Sequence, residues 1–153
     1  MARAGLIAAV YVVLCWVLAP ISFRQIQVRV AEGLTLLPIL YPEAIPALFV
    51  GALLANIIGG LGPWDIFGGS LVTLLAAYLT RVFRFRPAIA YLSPILLNAL
   101  LVSLYLHYIL PFPYWPLVLS IGIGEAIAVL GIGLPLLKYL KGKGLGTDGN
   151  AFR

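Results

Sequence analysis

The sequence predicts an all-α membrane protein, a bundle of six transmembrane helices with a short second helix and both termini in the cytoplasm. Three observations lead there. The chain is 63% hydrophobic and 10% charged, with a mean hydropathy of +1.09, whereas soluble domains carry about 25% charged residues. That much apolar surface cannot be hidden by a single globule of 153 residues, so lipid must solvate part of it. Proline and glycine divide the chain into six apolar segments, and the basic residues sort onto one side of a six-span arrangement.

The first segment, residues 3–19, ends at Pro20. No small-residue cleavage site leads from it into a soluble domain, so it reads as a span and not as a cleaved signal. The second, residues 28–40, is short and carries Pro38, which is expected to interrupt it. The third, residues 43–58, closes on Gly59-Gly60-Leu61-Gly62-Pro63. Residues 65–83, 88–110 and 115–140 form the fourth, fifth and sixth, separated by Arg84-Phe85-Arg86-Pro87 and by the proline-rich turn at 111–116. Each of the last three has the about 17–25 residues that a bilayer crossing needs. Residues 1–140 thus form one membrane domain. The glycine-rich polar tail, 141–153, is expected to be disordered and cytoplasmic.

Six spans place Arg3, Arg81, Arg84, Arg86, Lys138, Lys141, Lys143 and Arg153 on the side of the termini, which the positive-inside rule makes the cytoplasm. Of the ten basic residues only Arg24 and Arg29 map to the other side. They act against the insertion rule, so a compensating role is expected. Trp64, Tyr114 and Trp115 map to that same outer face, where aromatic residues anchor spans at the interface. The net charge of +5 follows from this topology and does not call for nucleic acid as a partner.

Polar residues within spans point to function, because a charge at mid-bilayer costs about 2.5–3.5 kcal/mol on insertion scales. Glu125 lies roughly 15 Å into the sixth segment at about 1.5 Å per residue, near the midplane. Asn98 is at a similar depth in the fifth. Glu32 opens the second, Asn56 lies near the outer end of the third, and Asp65 starts the fourth. Structural roles are open to each. Asp65 suits a helix cap, Glu43 can complement a helix N-terminus, Asn98 can join helices, and Glu125 can pair with Arg29 or Arg24. His107, alone near an interface, reads as structural.

The densest polar stretch runs from Phe23 to Leu34 and holds Arg24, Gln25, Gln27, Arg29 and Glu32. In a helix Gln25 and Arg29, and Arg29 and Glu32, share a face. The stretch reads either as an interfacial amphipathic segment or as the floor of an outward-facing pocket. Glu32, Asn56, Asp65, Asn98 and Glu125 could converge on that pocket from five spans. Amides, carboxylates and arginine supply paired donors and acceptors, and tyrosine and tryptophan supply flat apolar faces. Such a set suits a planar, hydrogen-bonding, partly cationic heterocycle. No cofactor is expected. There is no His/Cys cluster for a metal, no GxxxxGK[ST] for ATP, and one histidine and one cysteine make no persuasive nucleophilic set. In the first segment Ala4 and Ala8, and Gly5 and Ala9, repeat at a four-residue spacing that allows close helix contact, whether ordinary packing or a partner helix.

These residues resemble a known family. The run PISFRQIQVRVAEGLTLLP is similar to the segment after the first span in the QueT family of queuosine-precursor transporters, the S components of energy-coupling factor transporters. GALLANIIGGLGPWDIFGGSLVTLLAAYLTR, LNAL and GIGEAIAVLGIGLPLL resemble its later spans, so the similarity covers nearly the whole chain. Its most specific part is Gln27-x-Arg29-x-x-Glu32 with Asp65 and Gly124-Glu125. Arg24-Gln25 stands where the family has Gly-Pro. The resemblance implies a six-helix S component of a prokaryotic cytoplasmic membrane. It would take up a 7-deazaguanine (preQ1, preQ0 or queuine), with Gln27, Arg29, Glu32, Asn56, Asp65, Asn98 and Glu125 binding the substrate. It would dock through Ala4 and Ala8 on a transmembrane coupling protein served by two ATPases, so that the chain itself is not an enzyme.

Other readings stay open at this point. They are an S component for another vitamin or nucleobase, a self-contained small channel or facilitator, a membrane enzyme, and a structural assembly protein. Few polar residues lie in the cytoplasmic half, which disfavours a continuous channel. Isolated carboxylates do not make a catalytic set, and an assembly protein leaves Glu125 at mid-depth unexplained.

Overall fold

A computed structural model describes residues 1–19, 29–60 and 62–145. Six helical stretches follow in order: α1 (Ala2–Val17), α2 (Val30–Ile39), α3 (Ala44–Ile58), α4 (Trp64–Val82), α5 (Pro87–Ile109) and α6 (Tyr114–Gly142). No strand occurs among the described residues. Helices α4, α5 and α6 are long and apolar enough to cross a membrane; α1, α2 and α3 are apolar but shorter. Large apolar side chains are exposed along the length of the bundle, among them Leu6, Val13, Trp16, Leu71, Leu92, Leu96, Leu119 and Ile123. That distribution fits a lipid solvent.

Helix α2 departs from expectation. It is a 3₁₀ helix of ten residues, and every residue from Ala31 to Ile39 is buried. Such runs rarely exceed 3–4 residues. A rise of about 2.0 Å per residue carries α2 over roughly 20 Å, against about 15 Å for an α-helix of the same length. The short second segment thereby spans much of the bundle as its central rod. Pro38, expected to interrupt it, lies inside its last turn.

Two glycines permit the close crossings around this rod. A Cβ on Gly33 would lie 2.8 Å from the Ala128 carbonyl oxygen and 3.1 Å from the Gly133 nitrogen, so α2 and α6 meet backbone to backbone. A Cβ on Gly51 would lie 2.9 Å from Tyr11 Cβ and 3.2 Å from the Ala8 carbonyl oxygen, which sets the α1–α3 contact.

One end of the bundle is closed by polar contacts. Arg3 Nη1 donates to Glu43 Oε1 at 3.0 Å, and its guanidinium lies 4.7 Å from the Tyr41 ring centroid. Tyr41 donates its hydroxyl to the Leu145 carbonyl at 2.9 Å. Arg81 Nη1 donates to the carbonyls of Pro38 and Ile39 at 3.2 and 3.0 Å, closing the end of α2. The chain start, the α2–α3 turn and the ends of α4 and α6 therefore meet at one end, where the basic residues gather. Trp64 and Trp115 are exposed at the other end. Glu43 makes an ion pair, with no side-chain cap to α3.

Helices α4, α5 and α6 each contain a stretch of wide, π-type turns: Trp64–Gly69, Asn98–Val102 and Ile127–Gly133. Wide turns of this kind occur often at functional sites. Pro94 in α5 has no N–H to give the Ala90 carbonyl. The hydroxyls of Ser93 and Thr80 point to that oxygen instead, at 3.1 and 3.4 Å, which keeps it satisfied inside the apolar bundle.

Candidate functional site

The site grows from Glu32, in the first turn of α2 and 1% exposed. Its backbone N–H donates to the Arg29 carbonyl at 2.9 Å. Its Oε1 accepts from the hydroxyl of Tyr11 on α1 and from Thr73 Oγ1 on α4, the latter at 3.1 Å. The Thr73 proton has a second acceptor within reach, the Gly69 carbonyl at 3.2 Å. Glu32 Oε2 accepts from Asn98 Nδ2 on α5 at 3.3 Å. One carboxylate thus joins four helices. The donors surround it because α2 is the rod around which they pack.

Asn98 is 3% exposed and opens the wide turns of α5. It also lies within hydrogen-bonding reach of Glu125, which brings α6 into the cluster. Glu125 is 5% exposed and stands just before the wide turns of α6. The Arg29 guanidinium is buried within electrostatic range of Glu32 and Glu125. Arg29, Glu32, Asn98 and Glu125, from three segments of the sequence, therefore meet in one buried group.

A second polar group adjoins it toward the tryptophan end. Tyr105 on α5 donates its hydroxyl to Asp65 Oδ1 at 2.9 Å. Asn56, 1% exposed on α3, donates from Nδ2 to the Asp65 carbonyl at 2.7 Å, and Ser70 Oγ lies 3.5 Å from the same nitrogen. Asp65 makes no side-chain cap; its carboxylate engages Tyr105 instead. Tyr105 stands near Arg29 as well as against Asp65, between the two groups. Gln27, with Arg24 and Gln25, lies outside the described residues.

Sequence reasoning missed Tyr11, Thr73 and Tyr105. Threonine and tyrosine are ordinary in apolar spans, so hydropathy does not flag them. The available signal was registry: Tyr11 lies on the face of α1 shared by the buried Ile7 and Cys15, and a buried tyrosine hydroxyl needs a partner. His107 is exposed, with Nδ1 2.6 Å from the Phe112 carbonyl oxygen, and stands apart from both groups. Ala4 and Ala8 are half-buried against the core beside α3, whereas Gly5 and Ala9 are exposed.

Buried carboxylates, amides, hydroxyls and one guanidinium together offer both donors and acceptors to a polar ligand, walled off from lipid by apolar helix faces. Comparison with curated proteins and with solved structures finds no match. The family model described as the QueT transporter matches residues 1–142, from the first residue of the chain to the end of α6, and this multi-pass membrane transport protein belongs to that family.

Proposed function

We propose that the chain is the substrate-binding S component of an energy-coupling factor transporter and captures a 7-deazaguanine. The observation that carries this reading is the buried polar cluster of Arg29, Glu32, Asn98 and Glu125 inside an apolar bundle of the QueT transporter family. A 7-deazaguanine presents an N1–H and a 2-amino group side by side to a carboxylate, and a carbonyl to Arg29, Gln27 or an asparagine. Asp65 and Asn56, at the tryptophan end, line the approach. Residues 1–140 act as one six-span domain in a prokaryotic cytoplasmic membrane. Both termini and the tail, 141–153, face the cytoplasm, and the site opens outward.

The chain has no nucleotide-binding loop of its own. Transport is driven by two partner ATPases acting through a transmembrane coupling protein. Helix α1 is the docking helix. Its small residues Ala4 and Ala8, with Gly5 and Ala9 exposed beside them, make a low-relief strip against which a partner helix packs closely.

Calorimetric titration of the purified protein with preQ1, queuine, guanine and riboflavin tests the ligand class. Tight binding of a deazaguanine, weak binding of guanine and none of riboflavin is the expected pattern. A folded sample that binds no deazaguanine refutes it. Co-purification with a coupling protein and ATPases tests the partner assignment. Gly5→Leu or Ala9→Leu, both on the exposed side of α1, should abolish co-purification without unfolding the bundle.

A further inference from the structure

The two buried carboxylates are not equivalent. Glu32 accepts from Tyr11 and Thr73 on one oxygen and from Asn98 on the other. It is already engaged by the chain's own donors. Glu125 Oε2 is fully buried and has no hydrogen-bond partner among the described residues. Two further buried hydroxyl oxygens share that condition, Ser103 Oγ on α5 and Ser120 Oγ on α6. Ser103 follows Asn98 by a little over one helical turn, and Ser120 precedes Glu125 by the same interval. Both lie toward the tryptophan end. Of these, Glu125 Oε2 is the acceptor that lies in the Arg29–Glu32–Asn98 cluster.

Charge adds a second constraint. Among the described residues the buried charged groups are Arg29, Glu32 and Glu125. A donor that brings positive charge to the open Glu125 oxygen makes the strong, charge-assisted form of hydrogen bond there.

Resting on the ligand reading above, we propose that Glu125 is the charge-selecting residue of the site. It receives an ammonium group carried on the heterocycle, while Glu32 is a positioning residue that holds α1, α4 and α5 around α2. The site therefore discriminates by charge among heterocycles of the same shape. An alkylammonium substituent is accepted, and a neutral substituent leaves Glu125 unmet.

The test compares preQ1, whose 7-substituent is an aminomethyl cation, with preQ0, whose 7-substituent is a neutral nitrile, by calorimetry on the wild-type protein, Glu125→Gln and Glu125→Asp. Wild type should prefer preQ1 at least tenfold. Glu125→Gln should weaken preQ1 by roughly 10- to 100-fold, as loss of a buried charged hydrogen bond does, and change preQ0 less than threefold. Glu125→Asp, which keeps the charge, should retain the preference. Wild type that binds both ligands equally overturns the inference while leaving the deazaguanine reading intact. Equal weakening of both ligands by Glu125→Gln also overturns it, because Glu125 then reads the guanine edge. Wild type that binds neither ligand overturns both. The wild-type comparison is decisive even where a variant fails to fold.

Discussion

Tyr11 on α1 donates its hydroxyl to the carboxylate of Glu32 on α2, both residues being almost completely buried. The bond fastens the first helix to the central 3₁₀ rod and orients the oxygen that Thr73 also reaches. It couples the architecture of α1 to the geometry of the site.

Tyr11→Phe should destabilise the protein by about 1–3 kcal/mol, since it removes a donor to a buried charged acceptor at little change in volume. Thermal or denaturant unfolding in detergent reads this directly. An unchanged midpoint would show that the bond contributes nothing net.

Glu32→Gln should also cost stability, by roughly 1.5–3 kcal/mol, because an amide places an N–H₂ where the carboxylate accepted from Tyr11, Thr73 or Asn98. Its effect on unfolding should exceed that of Glu125→Gln, whose Oε2 gives up no partner among the described residues. The opposite order in matched melts would invert the roles assigned to the two carboxylates.

The Tyr105–Asp65 bond is only part-buried. Tyr105→Phe should therefore cost less, about 0.6 kcal/mol, the average for hydrogen bonds between membrane helices. A cost comparable to that of Tyr11→Phe would mean that the bond is far better shielded than its position implies.

Gly133→Ala should be more damaging than any of these in proportion to its size. The added methyl meets the Gly33 backbone, which has no flexible side chain to yield, and overpacking costs typically 1–3 kcal/mol. Gly131→Ala is the control on the same helix, where nothing lies within 4 Å of the added carbon. Equal melting points for the two variants would show that the α2–α6 crossing is not tight.

Much of the helical layout was legible before folding. Segments 65–83, 88–110 and 115–140 correspond to α4, α5 and α6 within a residue or two, because proline and glycine bound long apolar runs with little ambiguity. Asn98 and Glu125 stood out because polar groups deep in a hydrophobic run are costly, and Arg29 and Glu32 because they belong to a dense polar stretch in an apolar chain. Tyr11, Thr73 and Tyr105 did not stand out, since their side chains cost little in a membrane and reveal a role only through the group they face.

The sequence by itself determined the solvent of this protein, the division into helices, the gathering of basic residues at one end and the identity of the rare buried charges. These follow from composition and from spacing along one chain. Tertiary structure decided that α2 is a 3₁₀ rod and not an α-helix, and that Glu32 is engaged on both oxygens while Oε2 of Glu125 is open. A ten-residue 3₁₀ run has poorer local hydrogen-bond geometry than an α-helix, so local preference does not select it. The choice falls to the backbone contact of Gly33 with α6 and to donors arriving from α1, α4 and α5, none of which is near Glu32 in sequence.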